Sequence, residues 1–385
     1  MELKYGCNPH QSYASAEALD AANSPLELLN GKPSMINFLD ALNAWQLVHE
    51  LRKALDLPAA TSFKHVSPAG AAVAVPLDDE LAAMYEVAGQ ELTPAATAYV
   101  RARNADPKSS FGDFAALSDP VDVDTATFMK GVVCDGIIAP DFDPQALEIL
   151  KSKKKGAFTV MKANPDFKPG EREEREVFGM KLVQTRNNFD ITLATLENVV
   201  CGKLTDEARR DLVLGQVAIK YTQSNSVGYA LGGQMIGIGA GQQSRVDCTK
   251  LAGSKADVWH LRRHPRIMNL KFKSSVKRQE RINWRIRLIE GHVTAQEQVI
   301  LDEILEEKTT ELTLEEKAEW VAKLDGVALA SDAFIPFRDN IDHAQRHGVK
   351  FICHPGGAVR DEDVKAACEE YGIAMAYTGV RLFHH

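Results

Sequence analysis

Apolar and polar positions alternate along the chain in strand-length and helix-length blocks. Residues 37–55 place Leu39, Leu42, Leu47 and Leu51 at three-to-five-residue spacing, which predicts a helix with one buried face. Residues 59–66 and 131–140 read as strands. The second carries Val132-Val133 and Ile137-Ile138 in a mostly apolar run, as expected of strands covered on both faces. Residues 151–155 form a basic loop, and residues 163–175 form a polar, proline-containing connection that marks a domain boundary.

Beyond that boundary the pattern starts again. Residues 177–185 are strand-like, and Thr205-Asp206-Glu207 opens a helix with acids in its first turn, where the helix dipole favours them. Glycines cluster in 221–245, and a basic stretch covers 262–287. Thr294-Ala295-Gln296-Glu297 and Thr313-Leu314-Glu315-Glu316 both have the capping-box pattern and predict two charged helices in an insertion. After Lys323 the α/β pattern resumes. The chain thus divides into 1–170, a second unit of 171–275 with 324–385, and a helical insertion at 276–323. Ala116-Leu117-Ser118-Asp119 is echoed by Ala328-Leu329-Ala330-Ser331-Asp332, each followed by a proline-containing segment, which fits a duplicated fold.

Composition narrows the function classes. With 385 residues, 45% hydrophobic and 25% charged, the chain can bury the cores of two domains. A net charge of -8 argues against general attraction to nucleic acid or anionic lipid, so an anionic substrate needs a local basic pocket. The six cysteines are scattered without CxxC spacing, so neither a zinc knuckle nor a disulfide framework is expected, and a reduced, cytoplasmic setting is the simple reading. There is no signal-peptide pattern at residues 1–6, and no apolar run reaches membrane-spanning length.

Phe63-Lys64-His65-Val66-Ser67-Pro68-Ala69-Gly70 holds the most suggestive chemistry. A lysine next to a histidine favours the neutral imidazole that can accept a proton, and Pro68 and Gly70 are expected to bend the chain and present the pair. A surface lysine beside a core histidine remains the alternative. The 234–245 stretch is an apolar strand entering a GxGxG bend closed by Arg245. It reads either as a ligand cradle with an anion clamp or as a tight strand-to-helix turn, and its spacing is not the dinucleotide fingerprint. The 109–114 turn could cradle a phosphate or simply turn. The polar tract 220–226 reads as a structured site or as a solvated helix end. Phe334, Phe337, Arg338 and Asp339 suit a flat heterocycle or a core. The 262–287 run lacks interleaved stacking aromatics beyond Phe272 and Trp284, so it reads as a solvated face or subunit contact and not as a nucleic-acid site.

Together, Lys4-Tyr5-Gly6-Cys7-Asn8-Pro9-His10-Gln11, 63–70, 109–119, 221–227, 237–245, 331–340 and 381–385 resemble AICAR transformylase, the formyltransferase part of the bifunctional AICAR transformylase/IMP cyclohydrolase family. The resemblance implies an α/β fold of two tandem three-layer α/β/α units like cytidine deaminase, without its zinc signature, carrying a small helical insertion. It implies transfer of a formyl group from the cosubstrate 10-formyltetrahydrofolate to the 5-amino group of AICAR ribonucleotide in purine synthesis. No tightly bound cofactor and no metal ligands are expected, and the resemblance allows a monovalent cation site for K+. By motif, Lys64, His65 and Asn225 match the catalytic positions. Lys4, Tyr5, His10, Asn37, Gly112, Asp135, Phe334 and Arg381 match substrate-binding positions. Arg245, Val246, Phe334 and Asp339 match positions on the folate side. Lys4 stands where better-known members have arginine; it supplies a point charge without the bidentate fork.

The resemblance further implies a homodimer with active sites at the interface, while charge and composition lead to no expectation of a nucleic-acid or membrane partner. It leaves no room ahead of residue 3 for the cyclohydrolase domain, so ring closure is expected from a separate polypeptide. The alternatives are a formyltransferase with another acceptor or donor, and a non-catalytic nucleotide- or folate-binding regulator.

Overall fold

The computed structural model describes residues 1–385. Strands and helices alternate in two rounds. The first runs β1 (Leu26–Asn30), α1 (Met35–Leu55), β2 (Ala59–Lys64), β3 (Ser67–Val73), α2 (Asp79–Met84), α3 (Pro94–Ala105), β4 (Asp113–Leu117), α4 (Val123–Lys130), β5 (Cys134–Ala139), α5 (Pro144–Ser152) and β6 (Thr159–Ala163). A hairpin of β7 (Arg172–Val177) and β8 (Met180–Thr185) separates it from the second round. That round begins with β9 (Val199–Cys201), α6 (Asp206–Lys220), β10 (Val227–Leu231), β11 (Gln234–Gly239) and α7 (Arg245–Leu261). Four helices follow: α8 (Pro265–Met268), α9 (Arg278–Glu290), α10 (Ala295–Ile304) and α11 (Leu314–Val321). The round closes with β12 (Val327–Ser331), α12 (Asp339–Ala344), β13 (Val349–His354), α13 (Asp361–Glu370) and β14 (Ala374–Tyr377).

Twelve strands form one sheet in the order β1-β6-β5-β4-β2-β3-β11-β10-β12-β13-β14-β9. Read inward from either edge, the two halves have the same plan: an antiparallel edge strand, three parallel strands, then an antiparallel hairpin. β12 holds the place of β4, so the short sequence echo falls on equivalent strands. β3 meets β11 antiparallel, with Ala72 opposite Gln234, so the second round is inverted relative to the first. The inversion brings the ends of β2, β12, β13 and β14 to the same rim of the sheet as the starts of β4, β5 and β10.

Side chains alternate between two cores, as the strand period requires. Phe114 and Ala116 face the layer of α1 and α6, whereas Ala115 and Leu117 face α3, α4 and α5. In the second half Leu329, Ile352 and Met375 pack against α7, α12 and α13. This is the α/β/α layering expected. The insertion has a small core of its own, including Leu288, Ile289, Leu301 and Leu305, and both capping boxes form. The 276–323 segment holds α9, α10 and α11, with α8 ahead of it, and the expected 170/171 boundary falls between β6 and β7.

Two expectations are corrected. Residues 177–185 are not one strand: Phe178 and Gly179 turn the chain with φ of 46° and 78°, and both arms are exposed, so the alternating pattern there buries nothing. The basic 262–287 stretch is not a solvated face. Arg262 is buried and donates to the Asn104 carbonyl at 2.7 Å, while Arg278, Arg281 and Arg285 surround the single carboxylate of Glu86.

The two halves are also tied through their helices. Lys220 at the end of α6 is buried against Glu50 of α1, with Nζ–O distances of 3.0 and 2.8 Å, and the Tyr221 hydroxyl donates to the same carboxylate at 2.8 Å. Removing one partner of a buried pair strands the other charge. Glu50→Leu is expected to lower stability by about 3–5 kcal/mol in urea denaturation.

Candidate functional site

The first half of the rim is built around a hairpin turn. His65 and Val66 join β2 to β3 with φ of 54° and 59°, the left-handed pair that a two-residue hairpin turn demands. Each L-residue there costs about 1–2 kcal/mol, and a β-branched valine is especially ill-suited. The equivalent turn between β10 and β11 uses Gly232 and Gly233. The strained turn is held by Asp40 of α1, whose carboxylate accepts the Val66 amide at 2.7 Å. Asp40 is buried, and burial pushes its carboxyl up to about 6, against the opposing pull of the Val66 amide and His65. His65 itself is exposed at the tip.

Lys64 is half-buried and donates to the Phe111 carbonyl. A Cβ on Gly112, whose φ is 75°, would lie 3.9 Å from the Lys64 ammonium, so the cation sits over a stretch of bare backbone. The turn beneath is pinned by buried Asp113, which pairs with Arg103 and accepts the Ser62 hydroxyl at 2.6 Å. Asp135, the second residue of β5, lies alongside and pairs with Lys154. Asn37 is at the start of α1, where its Oδ1 accepts the Ser34 amide at 3.0 Å in a capping box.

The second half of the rim is organised by Arg245. One terminal nitrogen donates to the Ser226 carbonyl, the Ser331 hydroxyl and the Asp332 carboxylate; the other donates to Asn225 Oδ1 at 2.7 Å. Asn225 follows a cis peptide bond and donates through Nδ2 to the Gln242 carbonyl at 2.8 Å. Asp332 is fully buried and also accepts the Ser224 hydroxyl at 2.6 Å and the Ser226 amide at 2.9 Å. Its backbone carbonyl accepts the Leu382 amide at 2.8 Å, and Ser224 exchanges two hydrogen bonds with His384. The chain's last residues are therefore seated in the site, with Arg381 exposed and its guanidinium 4.7 Å from the Phe383 ring. Phe334 and Phe337 remain 45% and 54% exposed, offering aromatic faces at the rim. Val246 and Asp339 stand in the first turns of α7 and α12, which are joined by Thr249 donating to Asn340 at 3.1 Å. The halves meet where the Gln223 amide reaches the Ser67 hydroxyl at 3.4 Å.

Lys64, His65, Gly112 and Asp135 thus gather on one side of the rim, and Asn225, Arg245, Phe334 and Arg381 on the other. Lys4, Tyr5 and His10 lie on the N-terminal segment and make no hydrogen bond or ion pair to either group; the Lys4 ammonium lies 5.5 Å from the Tyr5 ring. Pro68 and Gly70 do not bend the chain. Both lie in β3, and Gly70 is needed because a Cβ there would come within 2.2 Å of the Ala102 carbonyl in α3. Gly237 and Gly239 play the same part against α7, where Cβ atoms would meet the Ala252 and Cys248 carbonyls at 2.1 and 2.3 Å, while Gly241 turns the chain with φ of 66°. The 220–226 tract is structured, with Lys220, Thr222 and Ser226 buried.

Asp40, Asp332 and the Asp113–Arg103 pair were absent from the expected site. Asp40 had a signal: it shares the helix stripe of Ala44, Leu47 and Leu51, and a carboxylate in an apolar stripe needs a partner. No group of three or more His, Cys, Asp or Glu side chains is placed to hold a metal ion. No helix is long and apolar enough to cross a membrane.

These features define a duplicated α/β/α protein whose two inverted halves build one ionisable rim. The sequence model of the AICARFT/IMPCHase bienzyme family matches residues 1–255, and the chain belongs to that family. It is 33% identical over its whole length to the bifunctional purine biosynthesis protein PurH of Persephonella marina, and 32% identical to those of Magnetococcus marinus and Clostridium acetobutylicum. It spans 59% of the length of each of these relatives.

Two tests follow from the geometry. A carboxyl whose folded pKa is raised binds its proton more tightly when folded, so its contribution favours folding at low pH and is lost as pH rises through the folded value. Asp40→Asn keeps an acceptor for Val66 without the charge, and its stability relative to wild type should improve by about 3 kcal/mol between roughly pH 4 and pH 7 in urea titrations. Arg245→Leu strands Asp332 and should cost about 3–5 kcal/mol in the same measurement.

Proposed function

We propose that the chain transfers a formyl group from 10-formyltetrahydrofolate to the 5-amino group of AICAR ribonucleotide. The observation that carries this reading is the turn that holds Lys64 and His65 side by side at the rim, in a family whose relatives are purine biosynthesis proteins. The acceptor amine is conjugated with a carboxamide-bearing ring and is a poor nucleophile, so transfer needs a base at nitrogen and a cation at the developing oxyanion. His65, exposed at the turn tip, takes the amine proton as nitrogen attacks the formyl carbon. Lys64 stabilises the tetrahedral oxyanion or gives its proton to the departing N10 as the C–N bond breaks, while His65 carries away the amine proton. Asn225 orients the imidazole. Its amide spends one Nδ2 hydrogen on Gln242 and one Oδ1 lone pair on Arg245, leaving a second hydrogen free to donate.

Gly112 and Asp135 are proposed to border the ribonucleotide, joined by Lys4, Tyr5, His10, Asn37 and Arg381. Phe334 stacks on the base. Val246 and Asp339 lie toward the folate, with Arg245 acting there through Asn225. We further propose a homodimer with sites at its interface. In support, the β7–β8 hairpin is exposed on both faces with Phe178 at its tip, and a two-stranded hairpin is marginal until something covers it.

Following tetrahydrofolate release with AICAR ribonucleotide and 10-formyltetrahydrofolate tests the activity, with formate plus ATP as the contrasting donor system. His65→Ala should reduce kcat by roughly 10²–10⁴-fold while nucleotide binding changes little. Near-normal turnover in that variant would remove His65 from the base role.

A further inference from the structure

The two halves carry the same clamp at corresponding turns. Asp40 is the sixth residue of α1, and its carboxylate accepts the Val66 amide at 2.7 Å in the turn between β2 and β3. Asp211 is the sixth residue of α6, and its carboxylate accepts the Gly232 and Gly233 amides at 2.8 and 2.7 Å in the turn between β10 and β11. Both acids are buried, and each helix packs on the hairpin whose turn it holds. Val66 and Gly233 occupy equivalent places, so the clamp belongs to the plan that the halves share.

The clamps do different work. Gly232 and Gly233 take positive φ at no steric cost, and Asp211 has Arg210 beside it at 2.9 Å. β10 starts at the rim, so this turn lies at the far end of the sheet and presents no side chain. His65 and Val66 take the same conformation against the preference of their side chains, most strongly at the β-branched valine. Asp40 has no ion-pair partner, so a buried carboxylate is kept for the sake of one turn amide. Both costs fall on the turn that presents Lys64 and His65.

We propose that Asp40 is a positioning residue for the transfer reaction: its bond to the Val66 amide holds the turn in the left-handed form that aims His65 and Lys64 at the substrates. This rests on the formyl-transfer reading of the rim. Without the clamp, Val66 draws the turn toward ordinary negative φ and carries the imidazole off line. A displacement of about 1 Å in a reacting group costs on the order of 10²-fold in rate. The remaining substrate contacts lie on other elements, so the loss falls on kcat. A glycine at position 66 removes the strain, and with it the need for the carboxylate.

Steady-state transfer by the full chain, together with amide hydrogen exchange in the 63–70 segment, tests this. Asp40→Ala should lower kcat by roughly 10–10²-fold while KM for AICAR ribonucleotide changes less than about twofold, and exchange at Val66 should accelerate about tenfold. Asp40→Asn keeps an acceptor oxygen and should stay within about threefold of the wild-type kcat. Adding Val66→Gly to Asp40→Ala should restore kcat by about tenfold, a rescue that a general packing role for Asp40 does not provide. An Asp40→Ala variant with wild-type kcat, or a double variant no faster than Asp40→Ala, overturns the proposal. The exchange measurement needs no turnover: a wild type inactive in transfer refutes the functional reading, whereas unchanged exchange at Val66 in Asp40→Ala refutes the clamp.

Discussion

The buried ion pair of Arg245 and Asp332 is the interaction on which the second half of the site depends. Asp332 has no exposure, and unpaired it would be intolerable in that position. Arg245 neutralises it and spends its other donors on Asn225, Ser226 and Ser331. Asp332 in turn anchors Ser224, Ser226 and Leu382. One pair therefore fixes the end of β12, the approach to β10 and the chain's last residues. A buried pair of this kind adds little net stability over apolar packing, and its value here is positional. It also accounts for an arginine that the sequence marked as an anion clamp and the fold turns inward.

The antiparallel contact of β3 with β11 explains why two halves with the same plan do different work. Inversion places the strand starts of one half beside the strand ends of the other. The first half contributes ionisable groups on a strained turn, and the second contributes an amide, aromatics and a cation. The turn makes the contrast sharp. Gly232 and Gly233 accept positive φ without strain, while His65 and Val66 adopt it only because Asp40 and the flanking hairpin hold them there.

Much of the architecture was legible from periodicity. The helix through residues 37–55, the strands around Phe63 and Ile137, the capping boxes at Thr294 and Thr313 and the echo between Ala116 and Ala328 all follow local rules that the fold obeys. Lys64 and His65 could be singled out because adjacency is a sequence property. What stayed hidden was long-range. Whether Arg245 faces solvent or Asp332 depends on residues about ninety positions apart. Gly70 and Gly237 resembled turn and ligand-binding glycines because sequence does not reveal a helix backbone passing overhead. The hairpin at Phe178 carries strand propensity without burial, so its pattern gave no hint of the break.

The edge strands impose an order on assembly. β1 pairs only with β6, the last strand of the first round, and β9 pairs only with β14, the last of the second. Each half therefore leaves its opening strand without a partner until its final strand emerges, and the first half can close while the second is still being synthesised. During that interval β3 presents an open edge, and only the inverted hairpin β10–β11 later caps it. A nascent chain halted between Ala163 and Gln234 would carry a finished half-sheet with one adhesive margin, which makes pairing with another nascent copy the characteristic hazard of this topology.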